Sequence, residues 1–170
     1  MNSRTEYGGT LLQRIAGRGS YETYSFLVSH GAAVNTSATR RYGTPLQEAL
    51  KAGDVKTANL FLDHGADLNA LPAEDRGVTA LQAASINGMF GMAVRLLVCG
   101  ADVSAPAAPT NGRTAIDGAA ERGRLEMVQL LLNAYGEQED LGPVRSQAAD
   151  YAEKEGHYEI AQWLREDSPL

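Results

Sequence analysis

Two of the three histidines in the chain, His30 and His64, occupy matching positions that could support metal binding. Each directly precedes a glycine, and the two lie 34 residues apart. Zinc requires ligands about 2 Å from one centre, whereas neighbouring packed helices are separated by about 10 Å. We therefore interpret both histidines as residues at helix C-termini, where an imidazole faces the negative end of the helix dipole.

Carboxylates near the carboxyl terminus form the other arrangement that could do chemistry: Asp150, Glu153 and Glu155. A pair of carboxylates performs acid–base catalysis only when a pocket separates their pKa values, and we expect an exposed terminal helix here. Phosphate-binding loops, dinucleotide-binding loops and the usual zinc-ligand motifs are also missing from the sequence. The sequence therefore predicts that the chain is not an enzyme and uses no metal or cofactor.

Composition restricts the compartment and the class of partner. Cys99 is the single cysteine, so an internal disulfide is impossible and a reducing compartment, cytoplasm or nucleus, is predicted. We expect this cysteine to be half buried at the end of a helix. No stretch approaches 18 apolar residues, which argues against a membrane-spanning helix, and a pI near 5.0 argues against nucleic-acid binding.

Glycine recurs at nearly constant intervals along the chain. Gly19, Gly53, Gly88, Gly123 and Gly156 are 34, 35, 35 and 33 residues apart. A period in this range is typical of a solenoid, in which short units of one kind stack side by side. Such a unit cannot bury a core alone, so we expect the fold to depend on contacts between neighbouring units.

A first helix is predicted in the nine residues before each of these glycines. The residues at its start are Thr10, Thr44, Thr79, Thr114 and Gln147. A threonine hydroxyl suits the N-cap, and Pro45 suits the first helical position. We expect each glycine to end its helix in the left-handed conformation. The predicted core residues are Leu12, Ala16, Leu46, Ala49, Leu81, Ala84, Ile116, Ala119, Ala149 and Ala152.

A second helix is predicted after each glycine, because apolar residues recur there at three- and four-residue spacing. The predicted ranges are 21–29, 55–63, 90–98, 125–133 and 158–165. Gly31, Gly65 and Gly100 close the first three of these helices, and in the fourth repeat the closing glycine is displaced to Gly136. The polar stretch that leads from there to the next threonine is predicted to form a protruding, hairpin-like loop, called a finger below.

These motifs identify a family resemblance. The segment from Thr44 to Gly53, Thr-Pro-Leu-Gln-Glu-Ala-Leu-Lys-Ala-Gly, and the segment from Gly65 to Asn69, Gly-Ala-Asp-Leu-Asn, resemble the two halves of the ankyrin repeat. Both halves recur in register over about residues 9 to 166. The resemblance implies an all-α ankyrin-repeat solenoid of helix–turn–helix units with protruding hairpin loops.

One position departs systematically from the ankyrin pattern. The family histidine of Thr-Pro-Leu-His is replaced by Gln13, Gln47, Gln82, Asp117 and Asp150. A glutamine can still link the threonine hydroxyl to the backbone. We interpret the substitution as a variant similar to the ankyrin arrays that are common in fungal proteins.

The repeats are predicted to form a single domain over residues 1–170. Their approximate ranges are 9–36, 37–70, 71–105, 106–136 and 137–166. The formal net charge is −6, and residues 137–170 hold all of it, with nine acidic and three basic side chains. We expect this segment to be a polar carboxy-terminal cap, because the terminal repeat of a solenoid exposes its outer face to water.

The first repeat is rich in apolar and aromatic side chains: Leu11, Leu12, Ile15, Tyr21, Tyr24, Phe26 and Leu27. This is more apolar surface than a single neighbouring repeat covers. Two interpretations stay open. Either a domain or further repeats precede this unit, or its tyrosines keep their polar ends in water and the first residues fold over the edge as a cap.

The resemblance places partner binding on the fingers and on the exposed side of the first helices, which together line a concave groove. The predicted partner-binding residues are Arg40, Arg41, Tyr42, Lys51, Asp75, Arg76, Val78, Ile86, Asn87, Asn111, Arg113, Glu121 and Arg122. Arginines are the first candidates because their planar guanidinium can pair bidentately and stack. We expect the partner to be a protein or peptide with an acidic or amphipathic segment.

The predicted function is that of a protein–protein interaction scaffold or adaptor. Two alternatives remain at this stage. The chain could be a targeting or oligomerisation module of a larger multidomain protein, with its amino edge continuing into further repeats. It could also be a non-standard enzyme built on an ankyrin scaffold, because a fold does not fix a function.

Overall fold

The described part of the chain folds into five pairs of α-helices. The computed structural model describes residues 2–3, 9–40, 42–136 and 140–166, and within these ranges it contains ten helices and no β-strand. The helices are α1 (Leu11–Ile15), α2 (Tyr21–Ser29), α3 (Pro45–Lys51), α4 (Val55–Asp63), α5 (Ala80–Asn87), α6 (Phe90–Val98), α7 (Ala115–Glu121), α8 (Leu125–Ala134), α9 (Gly142–Lys154) and α10 (Tyr158–Arg165). The predicted all-α helix–turn–helix solenoid is confirmed.

The helix pairs stack in sequence order. The first helices form a row in which α1 contacts α3, α3 contacts α5, α5 contacts α7 and α7 contacts α9. In the second to fifth units, the second helix packs on the first helix of its own unit. All ten predicted core residues are buried, and the bounds of α2, α4, α6 and α10 agree with the prediction. One elongated core therefore runs through all five units.

A threonine caps the first helix of each of the first four units. In the second unit, the Thr44 hydroxyl accepts a hydrogen bond from Gln47 N, and the Gln47 Oε1 accepts one from Thr44 N at 2.9 Å. The Nε2 of the same glutamine donates to the carbonyls of Ala70 (2.8 Å) and Leu71 (3.2 Å). The buried glutamine thus connects the start of the helix to the finger that follows. The predicted link between the threonine and the backbone is present, and it reaches the carbonyls of the finger.

The fourth and fifth units are joined in a different way, which corrects one prediction. Helix α9 begins at Gly142, and Gln147 lies inside it instead of capping it. The earlier start has a local cause, because Pro143 lies in the first turn, where its fixed backbone angle suits a helix. From its interior position, Gln147 Nε2 donates to the buried Asp117 carboxylate at 2.6 Å.

The first unit also departs from the predicted pattern. The left-handed glycine that follows α1 is Gly17, with φ +78°, and not Gly19. The Tyr24 hydroxyl explains the difference: it accepts from Gly19 N at 2.7 Å and donates to the carbonyl of Ile15. This buried side chain closes the turn, so α1 ends after five residues.

Asparagine side chains connect successive repeats at the base of the fingers. Asn35 Nδ2 donates to Gly65 O at 2.8 Å, and its Oδ1 accepts from Asp67 N at 2.7 Å. Asn69 makes the same two bonds to the next repeat, each at 2.9 Å. We call this series the asparagine ladder. Because each rung binds two backbone groups, it fixes the spacing of the repeats.

Replacing Thr57 with valine is expected to stabilise the chain. The Thr57 side chain is fully buried, and its hydroxyl has no hydrogen-bond partner among the described residues. Valine keeps the shape and removes the unpaired hydroxyl, which should raise the free energy of unfolding by about 1 kcal/mol. Urea denaturation measures the change. The control Thr57→Ser keeps the hydroxyl and removes the methyl group, so it should be less stable than the wild type. A Thr57→Val protein that is less stable than the wild type would contradict the conclusion that the Thr57 hydroxyl is unpaired.

Candidate partner-binding groove

The candidate site is the surface formed by three fingers and the adjoining side of the first helices, called the groove here. The fingers are residues 32–43, 66–78 and 101–113, and Arg41 in the first of them lies outside the described residues. A cleft of about 20 Å³ between α3 and the second finger brings together three predicted site residues, Lys51, Asp75 and Val78.

Hydrogen bonds hold the second and third fingers together. Arg76 N donates to Thr110 O at 2.9 Å, and Thr110 N donates to Glu74 O at 3.1 Å, which forms an isolated parallel bridge. The amide of Asn111 adds a bond to the Asp75 carboxylate at 3.2 Å. Asp75 and Asn111 therefore brace the fingers, whereas the side chain of Arg76 is 77% exposed.

The first finger presents Arg40 at a closed turn. Thr39 N donates to Tyr42 O at 2.7 Å, and Tyr42 N donates to the Thr39 hydroxyl at 3.0 Å. Arg40 lies within this turn and is exposed. The Tyr42 ring is half buried against the backbone of Gly9, where an added Cβ would come within 2.9 Å of Tyr42 Cδ2. The tyrosine therefore offers only one part of its ring as an anchor.

Arg113 and Glu121 form an ion pair inside the groove, with 2.7 Å between Arg113 Nε and Glu121 Oε2. The guanidinium also stacks on Tyr151, 4.3 Å from the ring centre, and donates to Gly112 O. Both charges are largely shielded, with 26% and 23% of the side chains exposed. The pair orders the groove wall and contributes little net charge. Tyr151 contacts a groove residue but was not predicted from the sequence. In the fifth repeat it occupies the position that Glu48, which lines the cleft beside Lys51, has in the second repeat.

Three further predicted site residues take part in packing between repeats. Asn87 Nδ2 donates to the carbonyls of Leu50 (2.8 Å) and Lys51 (3.1 Å) in the preceding repeat. Ile86 packs over Gly118, where an added Cβ would lie 2.4 Å from Ile86 Cγ1. The Lys51 ammonium is paired with Glu48 at 3.1 Å and keeps 42% of its side chain exposed. These residues line the groove while holding the array together.

Arg122 lies at the C-terminal end of a first helix. It is the C-cap of α7, at the end of the helix opposite Thr114, and is exposed. It lines a shallow depression of about 200 Å³ at the helix–helix turns, together with Phe90 and Glu126. Arg122 has the same repeat position as Asn87, directly before the glycine that follows the first helix.

Exposed ion pairs connect the two helices of the carboxy-terminal repeat. Arg165 Nη2 lies 2.9 Å from Asp150 Oδ1 and 2.5 Å from Glu153 Oε2. The hydrogen bond to Glu153, and to a smaller extent the one to Asp150, raise the pKa of the Arg165 guanidinium above its ordinary value. Two of the three carboxylates considered as an acid–base cluster thus serve as partners of an arginine on the last helix.

The remaining candidate residues for chemistry are structural or solvent-facing. His30 and His64 are C-caps, and their Nδ1 atoms lie 2.8 Å and 2.9 Å from the Phe26 and Leu60 carbonyls, as the helix-terminal interpretation predicts. The expectation of a half-buried Cys99 is wrong: this residue is the exposed C-cap of α6, beyond the packed positions of its helix. Within the described ranges, no group of three or more His, Cys, Asp and Glu residues could hold a metal ion.

The fold and the groove define a solenoid of helix–turn–helix repeats. The longest described helix, α9, has 13 residues, and no helix in the described ranges combines the length and apolarity needed to cross a bilayer. The family model described as ankyrin repeats (3 copies) matches residues 1–72 and 81–169. The chain therefore belongs to the ankyrin-repeat family, whose repeats are generally protein–protein interaction modules and typically not enzymes. A search of curated proteins found no match to the chain.

Proposed function

We propose that this chain is a non-catalytic scaffold or adaptor that binds a partner protein or peptide in the groove. The observation that carries the proposal is the placement of two exposed arginines on finger backbone held by hydrogen bonds: Arg40 lies in the turn closed by Thr39 and Tyr42, and Arg76 lies at the bridge between the second and third fingers. Binding at such positions orders little additional backbone, so it loses less conformational entropy than binding to a free loop. The five helix pairs serve as one domain with the predicted repeat ranges.

The partner segment that fits this surface is acidic or amphipathic. Arg40 and the 77%-exposed Arg76, whose Nε lies 3.8 Å from Asp75, supply positive charge. Lys51 is paired with Glu48, and Val78 and Ile86 supply half-buried apolar surface. An arginine can pair bidentately with a carboxylate and can also stack on an aromatic ring. The cytoplasm and the nucleus are the compartments in which we expect this interaction.

Removing the two finger arginines is expected to weaken partner binding without affecting the fold. A photo-crosslinking residue at Val78 identifies the bound segment in a native lysate, and a synthetic copy of that segment is then titrated. Arg40→Ala/Arg76→Ala should reduce its affinity at least about tenfold, since a contacting arginine commonly contributes more than 1 kcal/mol to binding. The melting temperature should change by no more than about 2 °C, because both residues are on the surface.

A control variant separates this effect from loss of charge alone. Lys56→Gln/Arg95→Gln removes the same charge from the second helices α4 and α6, and a glutamine at position 95 can still donate to Asn59 or Asp63, the partners of Arg95 in the preceding repeat. It should bind the segment as the wild type does, because both positions lie on second helices and not on the fingers. Equal affinities for the finger variant and the wild type would refute groove binding through these arginines.

A further inference from the structure

The first repeat leaves uncovered a surface that is covered in every later repeat. We call it the amino face and define it by Leu11 on α1 with Thr23 and Phe26 on α2. Leu11 is 42% exposed and Phe26 is 57% exposed, and Thr23 is also exposed. Leu11 and Phe26 are large apolar side chains exposed on the same helix pair, and Thr23 is a smaller polar residue in the turn of α2 beside Phe26.

The equivalent positions in later repeats are buried or half buried, and one of them, Arg95, hydrogen-bonds to Asn59 and Asp63 of the preceding repeat. The residues equivalent to Leu11 are all buried: Pro45, Ala80, Ala115 and Ala148. The residues equivalent to Thr23 are also buried: Thr57, Met92, Met127 and Ile160. The residues equivalent to Phe26 are buried or half buried: Leu60, Arg95, Leu130 and Trp163. The amino face is therefore the surface of the first repeat that corresponds to the covered stacking surfaces of the later repeats, but among the described residues no repeat covers it.

The asparagine ladder extends to this end of the array. Asn2 Nδ2 donates to Gly31 O at 3.0 Å, and Asn2 Oδ1 accepts from Ala33 N at 2.9 Å. These are the two bonds that Asn35 and Asn69 make to the repeats that follow them. In those two rungs the asparagine follows the second helix of the preceding repeat. Asn2 therefore makes the bonds that the asparagine of a preceding repeat would make, at the point where that repeat's second helix leads into its finger.

The opposite end of the array has a different character. Glu153 occupies the position of the buried Leu50, Ser85 and Ala120, yet it is exposed and paired with Arg165. Burying this ion pair under a second molecule would require its desolvation, which is costly. The exposed ion pair therefore makes this repeat a poor match for the apolar amino face of a second copy of the chain.

We propose that the amino face binds one further ankyrin-type helix pair, connected directly ahead of Asn2 and stacked as each repeat stacks on its successor. The side of that pair facing Leu11, Thr23 and Phe26 carries small and apolar residues, as Ala49 and Leu50 do between the second and third repeats. This inference concerns stacking and does not depend on binding in the groove.

The test supplies such a helix pair to the intact chain. A copy of residues 44–68 is fused directly before Asn2, so that Asn2 takes the place that Asn69 has after Leu68. If the amino face is a stacking interface, the melting temperature of the fusion should exceed that of the unfused chain by about 5 °C or more. A matched fusion carrying Leu11→Lys and Phe26→Glu should show no such gain. Equal melting temperatures for the unfused chain and the first fusion would overturn the proposal.

Cysteine labelling gives a second readout that does not depend on stability. In a Cys99→Ser background, Phe26→Cys should react with a maleimide at least about tenfold more slowly in the fusion than in the unfused chain, because stacking excludes the reagent. Lys56→Cys, exposed on α4, should react equally in both proteins. Unchanged labelling of Phe26→Cys would overturn the proposal. Labelling that already slows in the unfused chain as its concentration rises would also overturn it, in favour of a second copy.

Discussion

Replacing Gln82 with leucine is expected to lower the free energy of unfolding by about 4 kcal/mol, because it leaves several buried polar groups unpaired at once. Gln82 is 1% exposed. Its Oε1 accepts from Thr79 N at 2.9 Å, and its Nε2 donates to the carbonyls of Ala105 (3.1 Å) and Pro106 (3.0 Å). Leucine has a similar volume but can make none of these three bonds.

A histidine at the same position distinguishes lost hydrogen bonds from altered packing. Gln82→His restores the residue of the ankyrin pattern, whose ring can accept from Thr79 N through one nitrogen and donate to the finger through the other. It should lose less than about 1 kcal/mol, as tolerated core substitutions commonly do. Urea denaturation compares the two variants with the wild type. Equal losses for leucine and histidine would show that the hydrogen bonds contribute little to stability.

The helical framework could be predicted from the sequence because its determinants are local. Thr44 caps a helix whose first turn contains Pro45, and Gly53 ends the turn that follows with φ +77°. All of these signals fall within one repeat, where a few neighbouring residues decide the backbone conformation. The ladder carried a signal too: Asn35 and Asn69 have the same spacing as the repeats, and Asn2 continues the series.

Contacts between repeats were less predictable, because they join residues far apart in the chain through the directions of their side chains. Arg113 was predicted to bind a partner from its position in the repeat, but its contacts with Glu121 of its own repeat and Tyr151 of the next repeat were not predicted. Gln147 was aligned with the capping threonines by spacing alone, and its role as a donor to Asp117 depends on where α9 begins. A repeat pattern gives the register of such residues but not the partners they contact.

Gly77→Ala is the second substitution with a large expected effect, and it should act on both stability and binding. A Cβ at this position would lie 2.1 Å from the Ala73 carbonyl oxygen and 2.3 Å from Ala73 N. Both are backbone atoms of the same finger, so the clash cannot be relieved by rotating a side chain. Moving the backbone should lower the free energy of unfolding by about 3 kcal/mol, a typical cost of overpacking.

The same movement should displace Arg76, which directly precedes Gly77 and has φ +50°. Its backbone bond to Thr110 fixes the second finger against the third, so the affinity for the groove partner should fall together with stability. Gly91→Ala is the matched control, because this glycine lies in the first turn of α6 and an added Cβ meets nothing within 4 Å. That variant should gain about 0.5–1 kcal/mol from helix propensity and bind normally. Denaturation and titration with the crosslinked segment measure both effects, and a Gly77→Ala protein that binds with wild-type affinity would show that the bridged finger does not form the binding surface.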